Sequence, residues 1–135
     1  MLALSTPLCD RLAALPALAG WDVRSGIEHS NRAVLPAVDV RCEGAKVSGS
    51  RTGLLLSPFW RIALAVKRSS SAAAVLDAAL AAVIGSLHNW SPGEHGGRNW
   101  EPLVLVHVVP PELQDASDIA YELMFTTGAT YSGQP

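Results

Sequence analysis

The stretch WRIALAVKRSSSAAAVLDAALAAVIGSLHNW, Trp60–Trp90, decides the fold of this chain. Its first part alternates between apolar and other residues, which is the period of a strand with one buried face. This strand extends back to Leu54, either unbroken or as a pair divided at Pro58. After three serines, apolar residues recur at the spacing of a helix with one buried stripe. The stretch therefore predicts a long strand followed by a helix whose core-facing stripe is Leu76, Leu80, Val83 and Leu87.

The opposite side of this helix carries mostly small side chains. It carries Asp77, Ala81 and His88, and most of its other residues are alanine. Charged residues make up only 16% of the chain and hydrophobic residues 49%, which is a low charged fraction for a monomer that is solvated on all sides. The composition therefore indicates that copies of the chain or other partners cover part of its surface.

Upstream of the quoted stretch, the sequence predicts one short helix and two strands. A stripe of leucines at helical spacing predicts a helix that ends before Gly20. Short runs of apolar residues then predict strands over Trp21–Ser25 and Val34–Cys42. The run EGAKVSGSRTG, Glu43–Gly53, is polar and rich in glycine, which predicts a mobile loop that meets a partner.

Two further strands are predicted downstream. PLVLVHVVPP, Pro102–Pro111, is apolar on both faces, as is typical of a central strand that is covered on two sides. DIAYELMFTT, Asp118–Thr127, alternates like a strand with one buried face. The order of helices and strands contains no repeated βαβ unit and no linker. The sequence therefore predicts a single α+β domain over residues 1–135, with a mostly antiparallel or mixed sheet of about four to five strands and helices packed on one face.

The polar stretch LHNWSPGEHGGRNW, Leu87–Trp100, is where catalytic or metal-binding side chains would be sought. His88, Glu94 and His95 lie close together in sequence, but their spacing matches no metal-ligand motif and no nucleophile accompanies them. The chain's two cysteines stand apart from these residues. We therefore predict no catalytic residue, no metal and no cofactor, with a small histidine-dependent hydrolase as the less favoured alternative.

Several side chains of the two polar stretches suit contacts with a partner. A tryptophan combines a large apolar ring with one N–H donor, which suits interface positions. For Trp90, covering the open end of the core and contacting a partner are equally favoured, whereas for Trp100 a partner contact is slightly favoured. The predicted partner-binding residues are Lys46, Arg51, Trp90, His95, Arg98 and Trp100.

The overall charge gives no general attraction to nucleic acid. The formal net charge is −2 and the pI is near 6.0, and no basic face with interleaved aromatic residues is present. No run approaches the roughly 20 apolar residues of a membrane span. The first twenty residues lack a basic start and are interrupted by Asp10 and Arg11, unlike a signal peptide. We therefore expect no membrane, no sequence-specific nucleic-acid partner and an intracellular site of assembly.

The order of these elements resembles the phage tail terminator proteins and related small tail-completion proteins. The resemblance covers most of the chain. It is carried by the helix LCDRLAALPALAG, the strand LPAVDVRC, the glycine-rich stretch, the strand WRIALAVKR with its serines and alanine-rich helix, and the segments SLHNWSP, EPLVLVHVVPPEL and DIAYELMFTT.

The resemblance implies a structural, non-enzymatic virion protein that assembles in the host cytoplasm. Such a protein forms a ring, expected to be a hexamer, on the head-proximal end of the tail tube. The ring ends tube polymerisation, lets the genome pass and contacts the tail tube protein and a head-completion or connector protein. A head–tail adaptor or head-closure protein of the neck is the alternative. At the contacts between subunits, we expect Arg61 and Lys67 to pair with Asp77 or Glu122.

Overall fold

The computed structural model of the chain describes residues 1–26, 34–111 and 117–134. Within these residues there are two α-helices, α1 (Ser5–Ala13) and α2 (Ala72–Leu87), and two short 3-10 turns, Leu2–Leu4 and Pro16–Leu18, on either side of α1. The strands are β1 (Asp22–Ser25), β2 (Ala37–Ser50), β3 (Gly53–Lys67), β4 (Gly93–His95), β5 (Arg98–Trp100), β6 (Val104–Val109), β7 (Asp118–Thr126) and β8 (Ala129–Tyr131).

The strands form one mixed sheet and a small separate ribbon. The main sheet has the order β1-β2-β3-β7-β6, and β8 pairs with the start of β3 beside β7. Strand β1 runs parallel to β2, whereas the other pairs are antiparallel. The ribbon consists of β4 and β5. The predicted α+β class is confirmed, with six strands in the described sheet instead of about four to five.

The core lies between one face of this sheet and the two helices. Alternate residues of β3 from Trp60 to Val66 point into it, as the sequence predicts. Helix α1 contributes Leu8 and Leu12 to the same core. The quoted stretch therefore does form a strand and a helix that pack against each other.

The buried stripe of α2 is shifted slightly from its predicted position. Val83 is fully buried, as predicted, whereas Leu80 is only partly buried at the border of the core. Ala79 takes a central place instead, with no exposed surface. A small residue at this position lets the helix approach the sheet closely, and the larger Leu80 then fills the space at its side.

The prediction of a mobile loop over residues 43–53 was wrong. Strand β2 continues through this stretch and pairs with the first half of β3, up to Ser50 opposite Gly53. The glycines serve the geometry of this hairpin: Gly44, with φ +101°, lies at a β-bulge between Cys42 and Ala45, and Gly49 has φ +126°. Positive φ angles favour glycine, so its abundance here reflects backbone geometry.

The prediction of a central strand over residues 102–111 was also wrong. Strand β6 lies at the edge of the sheet and pairs only with β7 among the described strands. Its valines remain exposed in the single chain, with 48% of Val104, 48% of Val106, 39% of Val108 and 40% of Val109 accessible. His107 is exposed as well. The strand has the composition of a covered strand, but from Val106 on no described strand pairs with its outer side.

Candidate interaction surfaces

Trp100 is part of the core and not of the surface. Strand β5 directs its ring inward, where 4% of the residue remains exposed. The indole N–H donates to the backbone oxygen of His95 at 3.0 Å, and the ring meets Tyr131 edge-on, with 6.4 Å between the ring centroids. The prediction that Trp100 contacts a partner was therefore wrong, since its ring and its donor are both used inside the chain.

The other predicted side chains of this stretch are also engaged in internal contacts. The guanidinium of Arg98 stacks on Tyr131 at 3.6 Å from the ring centroid. Trp90 packs against the core, and Arg11 lies 4.5 Å above its ring. Burial, together with the nearby charge of Arg98, lowers the pKa of the Met1 amino group. These contacts tie β5, β8 and the start of the chain into one end of the domain.

The two histidines of the stretch bond to the backbone near them. The Nδ1 of His88 accepts the N–H of Leu105 at 3.1 Å. The Nε2 of His95 donates to the carbonyl of Pro92 at 2.9 Å in the tautomer that carries this proton. In residues 1–26, 34–111 and 117–134, no three His, Cys, Asp or Glu side chains lie together as a metal site requires. The structure does not bring His88, His95 and Glu94 together into a reactive site.

The residues that follow α2 cover the beginning of β6. Asn89, whose φ is +65°, donates its N–H to Leu103 at 2.7 Å, and Leu103 donates to Trp90 at 2.9 Å. Together with the bond from Leu105 to His88, these bonds occupy the outer edge of the sheet as far as Leu105. Beyond it, Val106–Val109 has no strand on its outer side among the described residues. We call Val106–Val109 the β6 edge.

A second exposed surface is the far end of the β2–β3 hairpin. We call residues 43–56 the distal hairpin. Strand β1 pairs with β2 only as far as Val40, so no described strand lies on the outer side of β2 beyond that point. Val47 and Leu54 are 56% and 40% exposed. The predicted partner residues Lys46 and Arg51 are both exposed in this hairpin.

The outer face of the sheet carries ion pairs within the chain. Arg61 on β3 lies 3.1 Å from Glu122 on β7 and 3.3 Å from Glu43 on β2. The pairing of Arg61 with Glu122, which the sequence analysis placed between subunits, is thus formed inside one chain. Lys67 and Asp77 are exposed at separate places, on β3 and α2.

The outward face of α2 is exposed as the sequence predicts. Val75, the largest apolar residue on it, is 43% accessible, and its neighbours are Ala73, Ala74, Ala78 and Ala81. Neither helix of the described residues has the length and apolar character needed to cross a membrane. Among the described residues, exposed apolar side chains thus lie on the β6 edge, on the distal hairpin and on this helix face.

Comparison with known proteins identifies a shared fold but no sequence family. No protein-family model and no curated protein sequence matches the chain. Among solved structures, the fold is similar to that of a chain in a structure described as "Virion of native gene transfer agent (GTA) particle", with a TM-score of 0.68 and 17% sequence identity. The similarity covers 96% of this chain and 95% of the other. The two chains share a fold over nearly their whole lengths.

Proposed function

We propose that this protein is a structural component of a phage-like virion, which forms a ring on the head-proximal end of the tail tube. The ring, a hexamer in this proposal, ends polymerisation of the tube and offers its other side to a head-completion or connector protein. The observation that carries the proposal is the shared fold, over 96% of the chain, with a chain of a gene transfer agent virion. The resemblance of the sequence to tail terminator proteins narrows that role to the end of the tube.

The exposed surfaces support a role in assembly. The single chain leaves the apolar β6 edge open to solvent, together with Val47 and Leu54 of the distal hairpin. Contiguous apolar surfaces on a folded chain typically mark contacts with other proteins. In this proposal, Lys46 and Arg51 of the distal hairpin are the polar contacts, and His95 and Arg98 of the β4–β5 ribbon contact the tube or the connector.

The location and copy number of the protein in particles test this proposal. Particles would be purified from cells that encode the protein with an epitope tag and examined by electron microscopy with gold-labelled antibody. Quantitative mass spectrometry would give the ratio to the tube protein. We expect label at the junction of head and tail, with six copies per particle.

The outcomes separate the possible roles. Particles without the protein would refute a virion role. Label confined to the head side of the neck, with the tube end bare, would favour an adaptor or head-closure protein. A single copy per particle would refute the ring.

A further inference from the structure

The β6 edge lacks the charged residues and prolines that commonly keep sheet edges from pairing. Exposed edges normally carry lysines, other charges or prolines, which hinder the addition of another strand. Within Val106–Val109 there is no charged residue and no proline, and three of the four residues are valine. Although β6 has an irregularity between Leu105 and His107, its outer backbone groups from Val106 on have no strand partner in the described chain. Such an edge is a ready template for pairing with another strand.

The distal hairpin is the second strand edge that the described chain leaves open. Beyond Val40, the outer side of β2 faces no described strand. The pairing register places Val47 opposite Leu56 and Gly49 opposite Leu54, so these apolar side chains share one face of the hairpin. This hairpin and the β6 edge are different surfaces on opposite sides of β3, as a head-to-tail contact between identical chains requires.

We propose that the distal hairpin of one copy adds as a strand to the β6 edge of the next copy. This inference rests on the ring of the proposed function and specifies which surfaces form it. We take a second copy as the occupant because the described chain presents two open strand edges on opposite sides of β3, so each copy can offer one edge to the next. The absence of charge on the β6 edge fits this choice, since interfaces between copies of one chain are more apolar than those between transient partners.

Two lysine substitutions and one matched control test the contact. Val106→Lys alters the β6 edge and Val47→Lys the distal hairpin. Val75→Lys places the same side chain on the exposed face of α2. The three valines are 48%, 56% and 43% exposed, so circular dichroism and thermal unfolding should match the wild type. Analytical ultracentrifugation over a range of concentrations then measures the mass.

The proposal gives a specific pattern of masses. Wild type and Val75→Lys should associate with rising concentration. Val106→Lys and Val47→Lys should each need at least about 100-fold more protein for half-assembly, because each buries an unpaired charge in the contact. An equimolar mixture of these two variants retains one intact contact. It should therefore form dimers of twice the 14.2 kDa chain mass and nothing larger.

Each other outcome contradicts the proposal in a recognisable way. Wild-type association by Val106→Lys would remove the β6 edge from the contact. Normal association by Val47→Lys, with loss in Val106→Lys, would mean that two β6 edges pair with each other. Dissociation only in Val75→Lys would move the contact to α2, and a wild type that stays monomeric up to about 1 mM would refute self-association through these surfaces.

Hydrogen exchange provides a second measurement if a variant does not fold. In the wild type, backbone amides of Val106–Val109 should exchange more slowly in concentrated than in dilute solution, and equal rates would contradict the proposal. Failure here is distinct from failure of the proposed function. If gold label marks the tube end and Val106→Lys assembles like the wild type, the proposed ring stands and only the proposed contact is refuted.

Discussion

At the scale of single residues, two buried tryptophans differ in whether the indole N–H group has a hydrogen-bond acceptor. Trp60 lies in the core with no exposed surface, and its Nε1 has no hydrogen-bond acceptor among the described residues. Trp100 donates to the carbonyl of His95. A buried donor without a partner lowers stability by about 1–3 kcal/mol. Trp60 is therefore a core position where losing a polar group would relieve a penalty.

Phenylalanine at each position tests this difference. Trp60→Phe removes the unpaired N–H, which offsets part of the packing that is lost, so its free energy of unfolding should fall by only about 1 kcal/mol. Trp100→Phe loses packing and also leaves the carbonyl of His95 without its donor, so we expect a decrease of about 2–3 kcal/mol. Urea unfolding followed by circular dichroism measures both. A larger decrease for Trp60→Phe would show that packing outweighs the unpaired donor.

At the scale of elements, α2 carries alanine on its buried side and on its exposed side. Ala79 is fully buried against the sheet, and the adjacent Ala78 is exposed. The two alanines are alike in size and helix propensity, and they differ only in the side of the helix on which they lie. Burial alone should therefore decide how each tolerates a charge.

Glutamate at these two positions is a matched pair. Ala79→Glu forces a carboxylate into the core and should lower the free energy of unfolding by several kcal/mol, roughly 3 or more. Ala78→Glu should change it by no more than about 0.5 kcal/mol. Thermal unfolding of both variants checks this. Similar melting temperatures would mean that α2 is rotated from the position described here.

The elements also explain what the sequence can and cannot predict. Trp60–Trp90 was predictable because the strand and helix periods each require one buried face, which the chain itself supplies. Strand β6 was misplaced because a run of valines looks the same whether or not its own chain covers it. The distal hairpin was missed because glycines at positive φ look like the glycines of a loop.

The exposure of the candidate contact residues was predictable only in part. The sequence indicated Lys46 and Arg51, which are exposed, but it also selected Trp100, which is buried. Composition does not reveal which way a tryptophan points at the end of a short strand. The absence of charged residues from β6 could have indicated exposed valines at a contact surface. The same absence is equally typical of a buried strand, which is the interpretation chosen from the sequence.

At the scale of the whole molecule, the surfaces differ in how they respond to salt. Arg61 is paired within its own chain, and the β6 edge contains no charge. Exposed ion pairs contribute little and weaken as salt rises. Apolar contacts persist or strengthen in salts that are excluded from protein surfaces.

Association in low and high salt distinguishes these two kinds of contact. We expect wild-type protein to associate at least as strongly in 1 M sodium sulfate as in 0.1 M, because the proposed contact pairs the uncharged β6 edge through backbone hydrogen bonds and apolar side chains. Ultracentrifugation at matched protein concentrations measures it. Dissociation in high salt would favour contacts through Lys67 and Asp77, the charges that the sequence analysis placed between subunits.

The bulge between Cys42 and Ala45 has a consequence for the size of the assembly. A bulge bends its strand and increases the local twist, so it sets the direction in which the hairpin leaves the sheet. If the hairpin docks on the next copy, that direction fixes the angular step from one copy to the next. If this angle divides 360° evenly, the copies close into a circle. Any other angle gives an open helical filament. The number of copies in the circle would then depend on Gly44, whose φ of +101° other residues rarely adopt.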